Sequence, residues 1–99
     1  MNYVGKIFLF DYGEFLVKVH YLTDRSLKWE QIKGSNPGIT AEETYNSTEI
    51  RKDIHMMSWQ EKDGSVLVQV LDWEKERVYT TWISADKTVH NFEGTIRTP

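Results

Sequence analysis

The stretch IHMMSWQEKDGSVLVQVLD, residues 54–72, decides the fold. Two runs of alternating apolar and polar residues flank Asp63-Gly64, a dipeptide that strongly signals a tight β-hairpin. A two-residue turn there pairs Lys62 with Ser65, Glu61 with Val66, Trp59 with Val68 and Met57 with Val70. Paired residues share a face. One face then carries Met57, Trp59, Glu61, Val66, Val68 and Val70, and the other Met56, Ser58, Gln60, Leu67, Gln69 and Leu71. The first face is the more apolar and is expected to point inward, which makes Glu61 an inward carboxylic acid near one end of the structure. The second face leaves Met56, Leu67 and Leu71 as an apolar row, diluted only by Ser58, Gln60 and Gln69. Monomers seldom leave such rows in water, and no helix of useful length is available as a cover. A second subunit is the expected cover, so the chain is expected to be a homodimer.

The same period of two runs outward from this hairpin in both directions. Lys6–Tyr12 and Phe15–Leu22 read as strands around a turn at Gly13-Glu14. The polar turn Thr23–Ser26 leads into a third strand, Leu27–Ile32, and the Gly- and Pro-punctuated stretch Lys33–Ile39 is a loop. Thr40–Tyr45 and a short piece around Ile50 are weaker strands, while Val78–Ser84 and Val89–Ile96 complete the set. Thr40–Thr44 and Trp73–Arg77 have room for a single helical turn each. The spacing predicts an all-β domain of about eight antiparallel strands, closed into a barrel that leaves no exposed edges. An interior of that size holds either side chains or one small ligand.

The chain has 99 residues, enough for one domain spanning 1–99. Aromatic residues make up 13% of it, and each buried ring can contribute about 150–250 Å² to a core. The net charge of −3 and the absence of any basic run argue against nucleic acid as a partner. The chain contains no cysteine, which excludes disulfides, thiolate metal sites and a cysteine nucleophile. No signal peptide precedes the first strand and no segment is long enough for a transmembrane helix, so a cytoplasmic location away from membranes is expected. His20, His55 and His90 lie on separate strands without metal-ligand spacing. No metal and no cofactor are expected. Gly34–Gly38 does not join a strand to a helix, so it is not a phosphate loop, and no serine elbow is present.

Glu61 leads the candidate site residues. A carboxyl group set against Trp59 is desolvated, so its pKa rises, which suits proton transfer or hydrogen-bond donation to an acidic ligand. Tyr12 shares a face with Phe10 and Phe8 by alternation and can offer its hydroxyl at one end of the barrel. Trp29, Glu43 and Tyr45 are expected opposite Glu61, with Phe10, Met57 and Trp59 completing the ligand-binding wall. Glu43 alternates with Tyr45, and two carboxyl groups flanking a cavity can serve as acid and base. Glu42 and Glu43 are adjacent, however, so one of them must face solvent.

Gly5-Lys6-Ile7-Phe8, Thr44-Tyr45, Ser58-Trp59-Gln60-Glu61 with Gly64, Val70-Leu71-Asp72, Val78-Tyr79-Thr80 and Glu93-Gly94-Thr95 fall in order along the chain. Together they resemble the MoaF-like proteins, a resemblance that implies a calycin or lipocalin-like barrel over nearly all of the chain. The chain is more distantly similar to the bacterial phenolic acid decarboxylases, cofactor-free enzymes with the same type of barrel. That resemblance implies a catalytic glutamate at Glu61, within Ser58-Trp59-Gln60-Glu61, and a catalytic tyrosine at Tyr12. The family's other tyrosine is replaced by Phe10, and Gly38-Ile39-Thr40 stands near the position of its arginine. The helical extension that follows the barrel in those enzymes has no counterpart before Pro99. Hydroxycinnamate decarboxylation is therefore not expected. The expected function is binding of a small, flat or aromatic molecule in the barrel. One alternative is a cofactor-free lyase or isomerase that uses Glu61 and Tyr12, and another is a packed domain that acts through protein contacts.

Overall fold

Nine strands carry the chain in the computed structural model, which describes residues 1–99. They are β1 (Ile7–Asp11), β2 (Leu16–Tyr21), β3 (Ser26–Lys33), β4 (Thr40–Thr44), β5 (Asn46–Arg51), β6 (Ile54–Gln60), β7 (Val66–Asp72), β8 (Arg77–Ile83) and β9 (Val89–Arg97). The expected eight become nine because the piece around Ile50 is a full strand. β4 and β5 form one extended run that bends at Tyr45: β4 pairs with β3 and β5 with β6. Tyr45 turns its ring into the core at the bend, and its N–H bonds to the carbonyl of Arg25. Thr40–Thr44 is thus strand and not a helical turn.

All pairings are antiparallel, in the order β4-β3-β2-β1-β9-β8-β7-β6-β5. The edges at β4 and β5 curl toward each other, and β4 approaches β6 without forming a ladder. The result is a nearly closed antiparallel barrel with one unpaired seam. No helix is long and apolar enough to cross a membrane.

The 54–72 hairpin forms, but with a different turn. Glu61 N–H bonds to Ser65 O at 2.8 Å and Gly64 N–H to Glu61 O at 3.0 Å, so Lys62, Asp63 and Gly64 make a three-residue loop. Gly64 takes φ 92°, the left-handed position such a loop needs. The Asp63 carboxylate fixes the shape by accepting from the backbone N–H and hydroxyl of Ser65, at 2.9 and 2.6 Å. Trp59 therefore lies opposite Leu67, Met57 opposite Gln69 and His55 opposite Leu71. A one-residue slip exchanges the faces of a whole strand. The inward assignment of Met57, Trp59 and Glu61 on β6 holds, while that of Val66, Val68 and Val70 is corrected. Ser65, Leu67, Gln69 and Leu71 face the interior, and the three valines face outward. The outer apolar row is consequently Met56, Val68 and Val70, joined by the exposed Tyr79, and not Met56, Leu67 and Leu71.

The interior is filled at the lower end, where the β2–β3, β5–β6 and β7–β8 turns meet. The Tyr3 ring stacks on Trp73 with centroids 5.6 Å apart and meets Tyr21 edge-on at 4.9 Å. Phe8, Phe10, Leu27, Tyr45, Met57, Leu71 and Val78 continue this core without a break. Toward the upper end Tyr12, Val17, Trp29 and Leu67 pack against it but remain half-buried. Two open depressions lie outside the barrel. One of about 410 Å³ is on the outer face of β7–β9, and one of about 460 Å³ is at the lower rim beside Arg25 and Glu49.

Candidate functional site

The upper end of the seam gathers four of the residues singled out from sequence. Glu61 is the last inward residue of the β6 run, anchored by its own N–H on Ser65 O. Its carboxyl lies 3.1 Å from the Ser65 hydroxyl oxygen, whose one proton is shared with the closer Asp63 carboxylate at 2.6 Å. Glu43 faces inward from β4, in register with Leu27, and accepts the indole N–H of Trp29 at 2.9 Å. Glu42 is the outward member of the acidic pair. The two inward carboxyls lie on either side of the seam, near enough for Glu43 to act on Glu61. Burial pushes the Glu61 carboxyl above its ordinary value, the Ser65 hydroxyl opposes this, and the neighbouring Glu43 pushes it up further. Neither carboxyl has a Lys or Arg partner, since the ion pairs of the chain lie elsewhere. The Trp59 indole N–H is buried without a hydrogen-bond partner. A carboxyl whose ionisation is disfavoured in this way can donate a hydrogen bond as well as accept one.

Tyr12 belongs to a separate polar group. Its hydroxyl lies 2.7 Å from Thr80 Oγ1, and Gln69 Nε2 reaches Thr80 at 3.2 Å and Tyr12 at 3.4 Å. Burial pushes the phenol up to about 12, so Tyr12 is a neutral hydroxyl at neutral pH. Gln69 Oε1 is buried without a partner. No hydrogen bond joins Tyr12 to Glu61. Their pairing as acid and base has no direct contact behind it.

The remaining expected site residues are sealed in the core. Phe10, Tyr45 and Met57 are each at most 1% exposed, and the Tyr45 hydroxyl is spent on Thr23 O at 2.7 Å. The three histidines stand apart. His20 faces outward, His90 stacks on Trp82 at 4.7 Å, and buried His55 accepts the Trp73 indole N–H on Nδ1 at 3.0 Å. Sequence reasoning missed Ser65 and Gln69 as interior polar groups because it placed both on the wrong side of a shorter turn. The signal was Asp63 followed two residues later by Ser65, a pair that can cap a three-residue loop. Gly94, in the Glu93-Gly94-Thr95 segment, is required by packing. A Cβ there would stand 2.5 Å from the Asp11 carbonyl and 2.9 Å from the Tyr12 ring, so its hydrogen is what lets β1 and that ring approach β9.

No curated protein matches the chain. Its fold matches the crystal structure of a Burkholderia vietnamiensis protein provisionally described as a β-lactamase, with a TM-score of 0.94. The two are 24% identical, over 100% of this chain and 97% of that one, a likeness that speaks for the fold alone. The MoaF-like family matches residues 4–97, nearly the whole barrel with its seam and both of the carboxyls that meet there, and the chain belongs to that family.

Proposed function

We propose that this MoaF-like barrel binds a small, flat or aromatic molecule at the upper end of the seam. The carrying observation is the Glu43–Glu61 carboxyl pair beside two indoles, with the Trp59 N–H buried and unpartnered. Buried polar groups are almost always hydrogen-bonded, and each exception asks for an explanation. A bound molecule supplies one here. The graded filling of the barrel supports the same reading: the lower end is packed solid, while Trp29 and Leu67 near the carboxyls are half-buried. Proton donation by Glu61 is the chemistry such a site offers, and Tyr12 stands outside it. A fragment screen by ¹H–¹⁵N NMR tests the proposal. Flat aromatic fragments should shift the indole N–H signals of Trp29 and Trp59 and leave that of Trp73 in place. A screen in which no fragment moves these two signals selectively ends the proposal.

The β-lactamase description of the Burkholderia protein does not transfer to these residues. Serine β-lactamases of one class use a Ser-x-x-Lys motif. The spacing occurs here at Ser84 and Lys87, in the β8–β9 turn, where the Ser84 hydroxyl bonds to Asp86 and Lys87 sits at φ 69°.

We propose also that the chain pairs weakly with a second copy through the outer face of β6–β8. That face presents Met56, Ser58, Val66, Val68, Val70, Tyr79, Thr81 and Ile83, with the charges of these three strands confined to its lower end, where Asp72 and Arg77 stand in register. With β9 it spans a flat area of roughly 450 Å² per chain, judged from strand spacing and rise. That is below the standard interface of about 800 Å² per partner, so the dimer should dissociate on dilution.

A further inference from the structure

We propose that the depression at the lower rim is a second binding site, separate from the upper end of the seam, and that it takes a neutral polyhydroxylated molecule the size of a monosaccharide. The depression has a volume of about 460 Å³, and Tyr3, Asp24, Arg25, Ser47, Glu49 and His55 are among the residues around it. Ser47 and Glu49 alternate on β5, in register with Met57 and His55 on β6, so Ser47, Glu49 and His55 share one face. Asp24 and Arg25 approach from the β2–β3 turn, and neither of them forms an ion pair.

Hydrogen bonds within this wall fix what each group has left to offer. His55 is 8% exposed, and its Nδ1 accepts the Trp73 indole N–H, so Nε2 carries the ring hydrogen and can only donate. That donor has no partner, because the Glu49 carboxylate stands 3.9 Å away, beyond a direct hydrogen bond. The Ser47 hydroxyl accepts the Tyr3 hydroxyl at 3.0 Å, which leaves its own proton to donate. Donors at His55, Ser47 and Arg25 thus stand among the acceptors Glu49 and Asp24 on one concave surface. A hydroxyl group accepts and donates at a single atom. Set between His55 and Glu49, it takes the N–H and gives its own proton to the carboxylate. An ammonium there would meet the His55 N–H, and a carboxylate would meet Glu49. Several hydroxyls on one ring answer the other donors and acceptors in the same way, and they add no charge to a wall that already carries both signs.

Titration followed by ¹H–¹⁵N NMR at neutral pH tests the inference, with D-glucose, D-galactose and D-mannose as neutral probes and glycine and acetate as charged ones. At least one hexose should shift the amide signals of Ser47 and Glu49 and the His55 ring signal, with a dissociation constant on the order of 1–10 mM. Glycine and acetate should bind at least about tenfold more weakly. The Trp29 and Trp59 indole signals should stay in place, which separates this site from the upper one. Glu49→Ala and Ser47→Ala should each weaken the hexose by about tenfold. Thermal unfolding establishes that each variant is folded, and Glu49, exposed on an edge strand, can be replaced without loss of packing. Binding of glycine or acetate as tight as that of the best hexose overturns the polyhydroxyl assignment. A hexose that shifts only Trp29 and Trp59, or that binds both variants undiminished, overturns the place. If no hexose moves the lower-rim signals at up to about 0.1 M, the site itself is overturned.

Discussion

The Trp73 indole N–H donates to Nδ1 of His55 at 3.0 Å, which leaves the imidazole proton on Nε2, facing Glu49 at 3.9 Å. That last distance is too long for a direct hydrogen bond. Burial holds His55 below the ordinary histidine value, and Glu49 opposes the shift. The folded chain therefore binds fewer protons than the unfolded chain near pH 6.5, so this contribution is complete above about 6.5 and is lost as pH falls through the lower folded value. Trp73→Phe removes the donor and frees Nδ1 to accept a proton. The His55 titration followed by NMR should move upward, and stability should drop by about 1–3 kcal/mol for the orphaned nitrogen. An unchanged midpoint would show that the indole does not govern the imidazole.

Trp59 is buried in the core between the solid lower end and the carboxyl pair. Trp59→Ala should cost about 3–5 kcal/mol, as core tryptophans do. For a domain whose total stability is about 5–15 kcal/mol, the denaturant midpoint should fall sharply. A midpoint near that of the wild type would mean that the ring is dispensable to the core.

Most of this architecture is legible in the sequence, because period-two alternation and turn residues are local. The inward set on β6 follows from alternation alone. What escapes is what depends on one residue of turn length or on contacts between distant strands. Asp63-Gly64 fits a two-residue turn by composition, yet the Ser65 hydroxyl and N–H both satisfy Asp63, and the added residue exchanges the faces of β7. Tyr3, Tyr21 and Trp73 cluster from three separate segments, so no local pattern gathers them. Glu43 and Glu61 were each readable as inward, but their meeting depends on the bend at Tyr45 that brings β4 to β6.

Gly94→Ala should destabilise the barrel although the backbone there is ordinary. The added methyl would stand 2.5 Å from the Asp11 carbonyl, and backbone cannot yield as a flexible side chain does. Overpacking of this kind costs about 1–3 kcal/mol. The Tyr12 ring must also shift, so ring signals of Tyr12 and Phe92, now 6.1 Å apart, should move together. Full retention of stability would show that β1 can slide away from β9.

Glu61→Gln should flatten one arm of the pH–stability curve. Burial and Glu43 raise the Glu61 pKa, so the folded chain holds more protons than the unfolded chain just above the ordinary glutamate value. The favourable contribution is therefore complete at acid pH below that value and is lost as pH rises through the folded pKa. At neutral pH the variant should unfold at higher denaturant than the wild type, because it removes one of two facing carboxylates. Carbon-13 titration of the Glu61 carboxyl checks the direction independently. A pKa at or below the ordinary value would remove both the proton donor at Glu61 and the stability effect.

Leu67 and Val68 are adjacent in β7 and should respond oppositely to the same substitution. Leu67 faces inward opposite Trp59, whereas Val68 faces outward opposite Ser58 and Thr81. Leu67→Glu places a charge without a partner against the core and should cost about 3 kcal/mol or more, through lost packing together with desolvation of the new carboxylate. Val68→Glu meets solvent in the monomer and should leave circular dichroism unchanged. In the proposed dimer it sets two like charges against each other near the twofold axis, because such an interface presents the same patch from both chains. Sedimentation at rising concentration should show the wild type passing from monomer to dimer while Val68→Glu stays monomeric. A wild type that remains monomeric at high concentration removes the dimer. A Leu67→Glu variant that folds as well as Val68→Glu would overturn the three-residue turn and the face assignment drawn from it.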